Sequence, residues 1–368
     1  IVMNSHLFTF TNYKTERNSN FYNLYDKVDK TCINLMGKNK LNTKFHTNII
    51  YPIFFLILTP MLFLNLIKNR NVKNYLVLFP GILEIIFLKI FQPLFKYKIT
   101  YDTFTSFHLT LVNDRKLIKE NSIFAKIIKL LDRLFFTLPD QLIFETNEMK
   151  NYLEEFLNKK KDISLILTSY RELPPNLKFF ENRKSKKIIV TFWGSFERMH
   201  GLDTIIDSAI ELGIDYQFNL IGSGSYFNHI ENRVKQESIN NVFLPGYISK
   251  DIQVEENLYT YISNSDICLG AFSDSKKNNL VIPGKVVEAF LLGKPVITVR
   301  TDYIKNNCLE SVFSVEPENS KELSKAIKLL AKDNQLKKSV VENSKKYFES
   351  HHTKKYFKKE LLEFFSEN

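Results

Sequence analysis

Short apolar, β-branched runs alternate with longer stretches of helical spacing along nearly the whole chain. In the first half the runs that read as strands are Ile1–Asn4, Thr31–Leu35, Tyr75–Phe79, Lys98–Asp102, Gln141–Glu145 and Ile163–Thr168. Helical spacing fills Asn121–Phe136 and Asn147–Asn158. Strands that alternate with helices predict a parallel sheet. The rhythm breaks over 173–187, where Pro174-Pro175 and the basic run Arg183 to Lys187 predict a linker. It restarts with strand Ile188–Phe192, helix Leu202–Leu212, strand Tyr216–Ile221 and helix Phe227–Gln236. Strand Asn241–Leu244, helix Val254–Ser263 and strands Asp266–Leu269 and Val312–Val315 follow. The pattern therefore predicts an α/β protein with two Rossmann-like domains, 1–172 and 188–350, facing a central cleft. Ligands of such sheets bind beyond the carboxyl ends of the strands.

One segment carries the most chemistry, Val281-Ile-Pro-Gly-Lys-Val-Val-Glu-Ala-Phe-Leu-Leu-Gly-Lys-Pro-Val-Ile297. Pro283 and Gly284 shape a turn, Lys285 to Leu292 has helical spacing, and Gly293 is placed to end the helix. A helix start favours an anion. Lys285 adds a full charge, and Glu288 lies three residues on, on the same face. A phosphate-seeking cation beside a hydroxyl-seeking carboxylate can hold a nucleotide diphosphate and its ribose. The alternative is a solvated surface pair worth a few tenths of a kcal/mol. Two glycine-bearing strand ends favour the nucleotide: Gly194 after Ile188–Phe192, and Gly222-Ser-Gly224 after Tyr216–Ile221. Glycine there lets backbone approach a ligand closely.

Composition narrows the classes. A length of 368 residues suits two or three domains, and 44% apolar with 25% charged residues is ordinary for a globular protein. Cys32, Cys268 and Cys308 are far apart and odd in number, which points to neither a disulfide framework nor a zinc site. The net charge of +11 favours anionic partners, but the basic residues are spread out and no nucleic-acid motif appears. The chain begins at Ile1 rather than Met, so a few residues are expected to precede it, and no secretory signal pattern is visible. Residues Ile49–Ile67 are almost wholly apolar, and Gly81–Phe95 is apolar with a basic flank. Three readings stand for them: helices packed on a sheet, helices lying in a membrane interface, or, least expected, a true span.

The second half resembles the donor-binding domain of GT-B glycosyltransferases, in particular the large retaining family 4. The resemblance rests on Phe192-Trp-Gly-Ser-Phe-x-x-x-His-Gly201, Leu220-Ile-Gly-Ser-Gly224, Val242-Phe-Leu-Pro-Gly246, Asp266-Ile-Cys-Leu-Gly270 and the Ile282–Ile297 run with its Pro-x-Lys-x-x-Glu core. In the first half, Tyr101-Asp-Thr-Phe-x-Ser-Phe and Thr110-Leu-Val-Asn-Asp-Arg115 are similar to a bacterial-type subgroup. It implies that Glu288 holds the donor ribose and Lys285, after Pro283, meets the diphosphate. It also places Gly194 under the phosphates and Gly222 and Gly224 near the nucleoside. Ser195 stands where an arginine is common, with Arg198 nearby as a substitute, and His200 stands where many members carry lysine. Val281 replaces a glutamate near the transferred sugar, which leaves sugar specificity open.

The resemblance further implies transfer of a sugar with retention from a nucleotide-diphosphate sugar to a glycan or lipid-linked acceptor in cell-surface polysaccharide synthesis, and the lack of a D-x-D carboxylate pair at a strand end fits a metal-independent enzyme without a cofactor. The expected place is the cytoplasm, peripheral on the inner face of an anionic membrane, with no nucleic-acid partner. The segment 351–368 is expected to cross back to the first domain. Asp102 and His108 are the catalytic candidates in the first half, set against a turn aspartate and a structural histidine. Asp114-Arg115 reads as an internal salt bridge, and His351-His352 as a solvated helix start. The rival readings are a sugar-nucleotide epimerase of the same architecture and a non-enzymatic basic membrane-surface protein.

Overall fold

The computed structural model describes residues 5–9, 15–25, 30–32, 50–178 and 186–367. It divides into two compact units, Ile1–Tyr170 with Lys354–Asn368, and Arg171–Thr353. The first unit runs β1 (His6–Thr9), α1 (Glu16–Leu24), β2 (Lys30–Cys32), α2 (Ile50–Lys68), β3 (Asn74–Leu78), α3 (Ile82–Phe95), β4 (Lys98–Thr103), α4 (Ile123–Thr137), β5 (Gln141–Phe144), α5 (Asn147–Leu157) and β6 (Ser164–Ile166). All strand pairs are parallel, in the order β2-β1-β3-β4-β5-β6. The first strand is His6–Thr9; the expected Ile1–Asn4, the end of Thr31–Leu35, most of Arg183–Lys187 and Ile49 lie outside the described residues. β3 is buried from end to end, as a parallel strand covered on both faces must be.

Right-handed crossovers fix where the helices lie. The step from β1 to β2 runs one way across the sheet, and the steps carrying α2, α3, α4 and α5 all run the other way. Helix α1 therefore covers one face and α2 to α5 the opposite one. On the α1 face, Phe21 meets Phe357 of a C-terminal helix edge-on at 5.0 Å. That helix, designated α14 (Lys354–Glu367) below, buries Phe357, Leu361, Phe364 and Phe365 against Leu7, Leu76, Leu78 and Ile143. The last helix of the chain thus belongs to the core of the first unit. On the other face α2 packs on α3, with Phe63 and Phe91 ring centroids 4.9 Å apart. Phe55, Leu62 and Leu66 are buried, while Leu56, Ile57 and Leu64 stay exposed. No helix among the described residues is long and apolar enough to cross a membrane.

The second unit runs β7 (Ile188–Ser195), α6 (Leu202–Leu212), β8 (Tyr216–Ser223), α7 (Phe227–Gln236), β9 (Val242–Gly246), α8 (Leu258–Ser263), β10 (Ile267–Leu269), α9 (Lys276–Leu280), α10 (Gly284–Leu291), β11 (Val296–Val299), α11 (Asp302–Asn307), β12 (Phe313–Val315), α12 (Ser320–Lys332) and α13 (Asn334–His351). Its parallel sheet has the order β12-β11-β10-β7-β8-β9. The direction of chain travel reverses between β7 and β10, so a crevice opens beyond their carboxyl ends, where open α/β sheets bind ligands. Residues 171–178 belong to this unit, and the Arg171 N–H donates to the carbonyl of His352 at 3.0 Å. His351 and His352 end α13 rather than start a helix, and His352 is buried against Tyr347 and Phe348, which corrects the solvated reading. Cys268 and Cys308 are buried free thiols.

Candidate functional site

The crevice of the second unit is built by glycines in close register. Gly194 of β7 pairs with Gly222 of β8, and Ser195 with Ser223. Gly222 has φ 147°, and a Cβ there would lie 1.8 Å from the Gly194 carbonyl oxygen. Only glycine fits so close a backbone approach. The loops beyond are tied together: the Phe196 N–H donates to the Ser223 carbonyl at 3.0 Å, and the Tyr226 N–H to the Phe196 carbonyl at 2.9 Å. A Cβ on Gly224 would run into the Phe196 backbone at 2.5 Å. The Arg198 guanidinium stacks over the Tyr226 ring at 5.2 Å. The turn at His200 is anchored from below, its carbonyl accepting from the Phe272 N–H at 3.0 Å.

Helix α10 brings the charges. Pro283 caps its start with φ −60°, and Gly293 follows its end at φ 63°, the left-handed residue that closes the helix. Lys285 and Glu288 retain 8% and 7% exposure, which excludes a solvated surface pair. The two do not bond to each other. Glu288 Oε2 accepts from Trp193 Nε1 at 2.6 Å, and Oε1 is paired with the Lys250 ammonium. Lys285 extends beneath Gly194, where a Cβ would lie 3.4 Å from its Nζ. Its ammonium sits 3.9 Å over the Phe192 ring and has no hydrogen-bond partner among the described residues. Burial holds its pKa well below the ordinary lysine value, against the opposing pull of Glu288.

His200 does not serve as the second cation. Burial, with Lys285 beside it, pulls its pKa down to about 3, although the Ser195 carbonyl, 2.5 Å from Nδ1, works the other way. The imidazole is neutral at pH 7 and donates from Nδ1 to Ser195. Gly194, Ser195, Arg198, His200, Gly222, Gly224, Pro283, Lys285 and Glu288 thus all belong to the second unit, gathered around the ends of β7 and β8 and the start of α10.

The two candidates in the first unit are different. Asp102 is fully buried, and its oxygens accept from Arg17 Nε at 2.9 Å and from Arg17 Nη2 at 2.5 Å. Arg17 also donates to the Leu167 carbonyl at 2.7 Å, so this pair ties α1 to the end of β4 and the segment after β6. The expectation that Asp102 reaches an acceptor hydroxyl finds no support in this geometry, because the carboxylate is fully buried and faces Arg17 inside the unit. His108 is also enclosed, its ring 4.7 Å from Phe156. Sequence pattern assigns no role to Trp193, although it stands in the Phe192-Trp-Gly motif, or to Lys250. Trp193 is the chain's one tryptophan, directly before the strand-end glycine, and Lys250 lies just past the end of β9, another carboxyl end of the same sheet. Among the described residues no three His, Cys, Asp or Glu side chains cluster as metal ligands.

Comparison with known proteins bears on this site. Residues 174–347 match the family model of glycosyl transferases group 1. The match takes in β7 to β12, the glycine-bearing ends of β7 and β8, and α10. A curated relative, an uncharacterized glycosyltransferase of Methanocaldococcus jannaschii, is 25% identical over 252 residues, 65% of this chain and 62% of that protein. The match therefore spans less than two thirds of that relative's length. Among solved structures, Anabaena HepE in complex with UDP and glucose superposes with a TM-score of 0.67 at 11% identity, covering 100% of both chains. Sucrose-phosphate synthase from Thermosynechococcus elongatus gives 0.63 at 16% identity, over 90% of this chain and 79% of that one. The pneumococcal O-GlcNAc transferase GtfA gives 0.56 at 14%, over 80% and 57%. The fold is that of GT-B glycosyltransferases: α/β, with two parallel sheets. The epimerase and non-enzymatic readings are not favoured by these matches.

Proposed function

We propose that the protein is a family 4 glycosyltransferase that moves a sugar from a nucleotide-diphosphate donor to a hydroxyl of a glycan or lipid-linked saccharide, with retention of configuration. The observation that carries this reading is Lys285: a buried ammonium without a hydrogen-bond partner, set beneath the strand-end glycine and one helical turn from a buried carboxylate. A buried cation is costly unless an anion meets it, and a diphosphate entering over Gly194 supplies that anion. Glu288 takes the ribose hydroxyls, held in place by Trp193. Arg198, Ser195 and the neutral His200 line the phosphate side, and Gly222 and Gly224 the nucleoside side. The chemical task is stabilising the departing nucleoside diphosphate, for which a preorganised cation and backbone N–H dipoles suffice without a metal. That UDP occupies HepE and GtfA supports a uridine nucleotide as the first probe. The first unit takes the acceptor, the setting is cell-surface polysaccharide synthesis, and the enzyme works in the cytoplasm against the inner face of an anionic membrane.

Titration calorimetry with UDP tests the site. The wild type binds, and Lys285→Ala and Glu288→Ala each weaken binding by roughly tenfold to a hundredfold, the worth of one charge-assisted contact. No binding by the wild type, or unchanged binding by both variants, would overturn the reading.

A further inference from the structure

Helix α4 presents to solvent what a buried helix would hide. Ile123, Phe124, Ile127, Leu130, Leu131 and Leu134 are all exposed, Ile123 by 72% and Phe124 by 67%. At 100° per residue these six fall on one contiguous arc. Lys126, Lys129 and Arg133 border that arc on one side and are exposed as well. The opposite face is locked inward: Ala125, Phe135 and Phe136 are buried. Asp132, the only acid on the helix, accepts from the Phe107 N–H at 2.9 Å and the His108 N–H at 2.8 Å. The helix cannot roll its apolar arc under without breaking those bonds. The segment before it adds exposed Leu117 with Arg115, Lys116 and Lys119, against exposed Glu120 and half-buried Asp114.

We propose that α4 is a membrane-docking helix that seats its Ile123–Leu134 arc in the interface of an anionic bilayer. Charge selects this occupant. An apolar arc bordered by lysine and arginine, with no acid of its own exposed, complements lipid phosphates. A second copy of a chain carrying +11 is repelled by the same charge. A second helix supports the assignment independently. Helix α2 lies on the same face of the sheet, and it exposes Ile53, Leu56, Ile57, Met61, Leu64 and Ile67 without a single acidic residue. An acceptor carried on a lipid would be met at that surface. The inference deepens the membrane contact of the proposed function, and it is read without any nucleotide.

Flotation of the full chain with vesicles tests it. The protein floats with phosphatidylcholine vesicles containing phosphatidylglycerol and not with phosphatidylcholine alone. The Ile127→Glu/Leu130→Glu/Leu134→Glu variant stays at the bottom of the gradient. Lys126→Gln/Lys129→Gln/Arg133→Gln lowers the partition coefficient roughly a hundredfold, from the ~1 kcal/mol that each basic group gains near an anionic surface. All the substituted groups are exposed, and among the described residues only Lys129 gives up a contact, its ammonium lying 4.1 Å over the Phe156 ring, so far-UV circular dichroism stays at the wild-type value and the thermal midpoint close to it. Wild-type protein that fails to float, or a glutamate variant that floats as well as wild type, overturns the proposal. So does a wild-type dimer that the glutamate variant turns into a monomer without any flotation of either. Protein that floats but binds no UDP would sink the proposed function and leave the docking helix standing; the reverse result would do the opposite.

Discussion

Among the described residues each unit buries one arginine or lysine at the carboxyl end of its sheet, and the two are treated in opposite ways. Arg17 is saturated, with Asp102 taking its Nε and Nη2 and Leu167 its Nη1. Lys285 has an aromatic face, a glycine turn and no hydrogen-bond partner. A buried charge whose partner is fixed in the core, as Arg17 has in Asp102, ties elements together. An unsatisfied one is a local cost that an incoming anion removes. The contrast marks Arg17 as a structural charge, and it is the ground on which Lys285 is proposed to meet an anion.

Breaking the saturated pair has the largest expected effect. Asp102→Ala leaves Arg17 buried and unpaired and lowers stability by about 3–5 kcal/mol in urea denaturation. A loss below about 1 kcal/mol would mean that the pair is not the tie described here. At the other cation the sign reverses. Lys285→Met keeps the length and removes the charge, so it raises stability by about 1–2 kcal/mol while abolishing the nucleotide contact.

The pH dependence sharpens this contrast. Because the folded pKa of Lys285 is lowered, the unfolded chain binds more protons between that value and the ordinary one. The contribution of this group to stability is therefore complete above the ordinary lysine pKa and is lost as pH falls through the lowered value. The gap between Lys285→Met and wild type should widen on acidification, as followed by the thermal midpoint. A diphosphate beside the ammonium raises its pKa back toward the ordinary value, so UDP binding should take up protons at any pH where the free group is partly deprotonated, and should weaken as pH rises. Calorimetry in buffers of different ionisation enthalpy reads this directly, and Lys285→Met should show no such uptake. The smallest effect is expected for Trp193→Phe, which removes only the N–H that orients Glu288. UDP affinity should fall by about 1 kcal/mol, a factor of roughly five, with the fold intact by circular dichroism.

Much of the second unit was legible in its sequence. The β-branched runs, the glycine after Phe192-Trp193 and the Pro-Gly-Lys turn locate strands and helices to within a few residues, because local spacing and turn chemistry act over short distances. The helix Leu202–Leu212 and the helix Phe227–Gln236 have the same bounds in the structure. The first unit was less legible. Its first described strand is His6–Thr9, the expected Ile1–Asn4 lies outside the described residues, and its Asp102 looked like a reactive group at a strand end. Nothing near Asp102 in the chain announces Arg17, 85 residues away.

Local pattern was enough to set the alternation of strands and helices, the two-sheet α/β class and the residue types at the strand ends. Spacing could also place Lys285 and Glu288 on one helical face. It could not say whether they pair with each other, face water or wait for a ligand. Tertiary structure decided the first two, giving Glu288 to Trp193 and Lys250 and enclosing Lys285 beneath Gly194, and it turned the apolar arc of α4 outward. Periodicity reports only which residues share a face. Burial and partners depend on what the rest of the chain packs against that face, and those neighbours come from distant parts of the sequence.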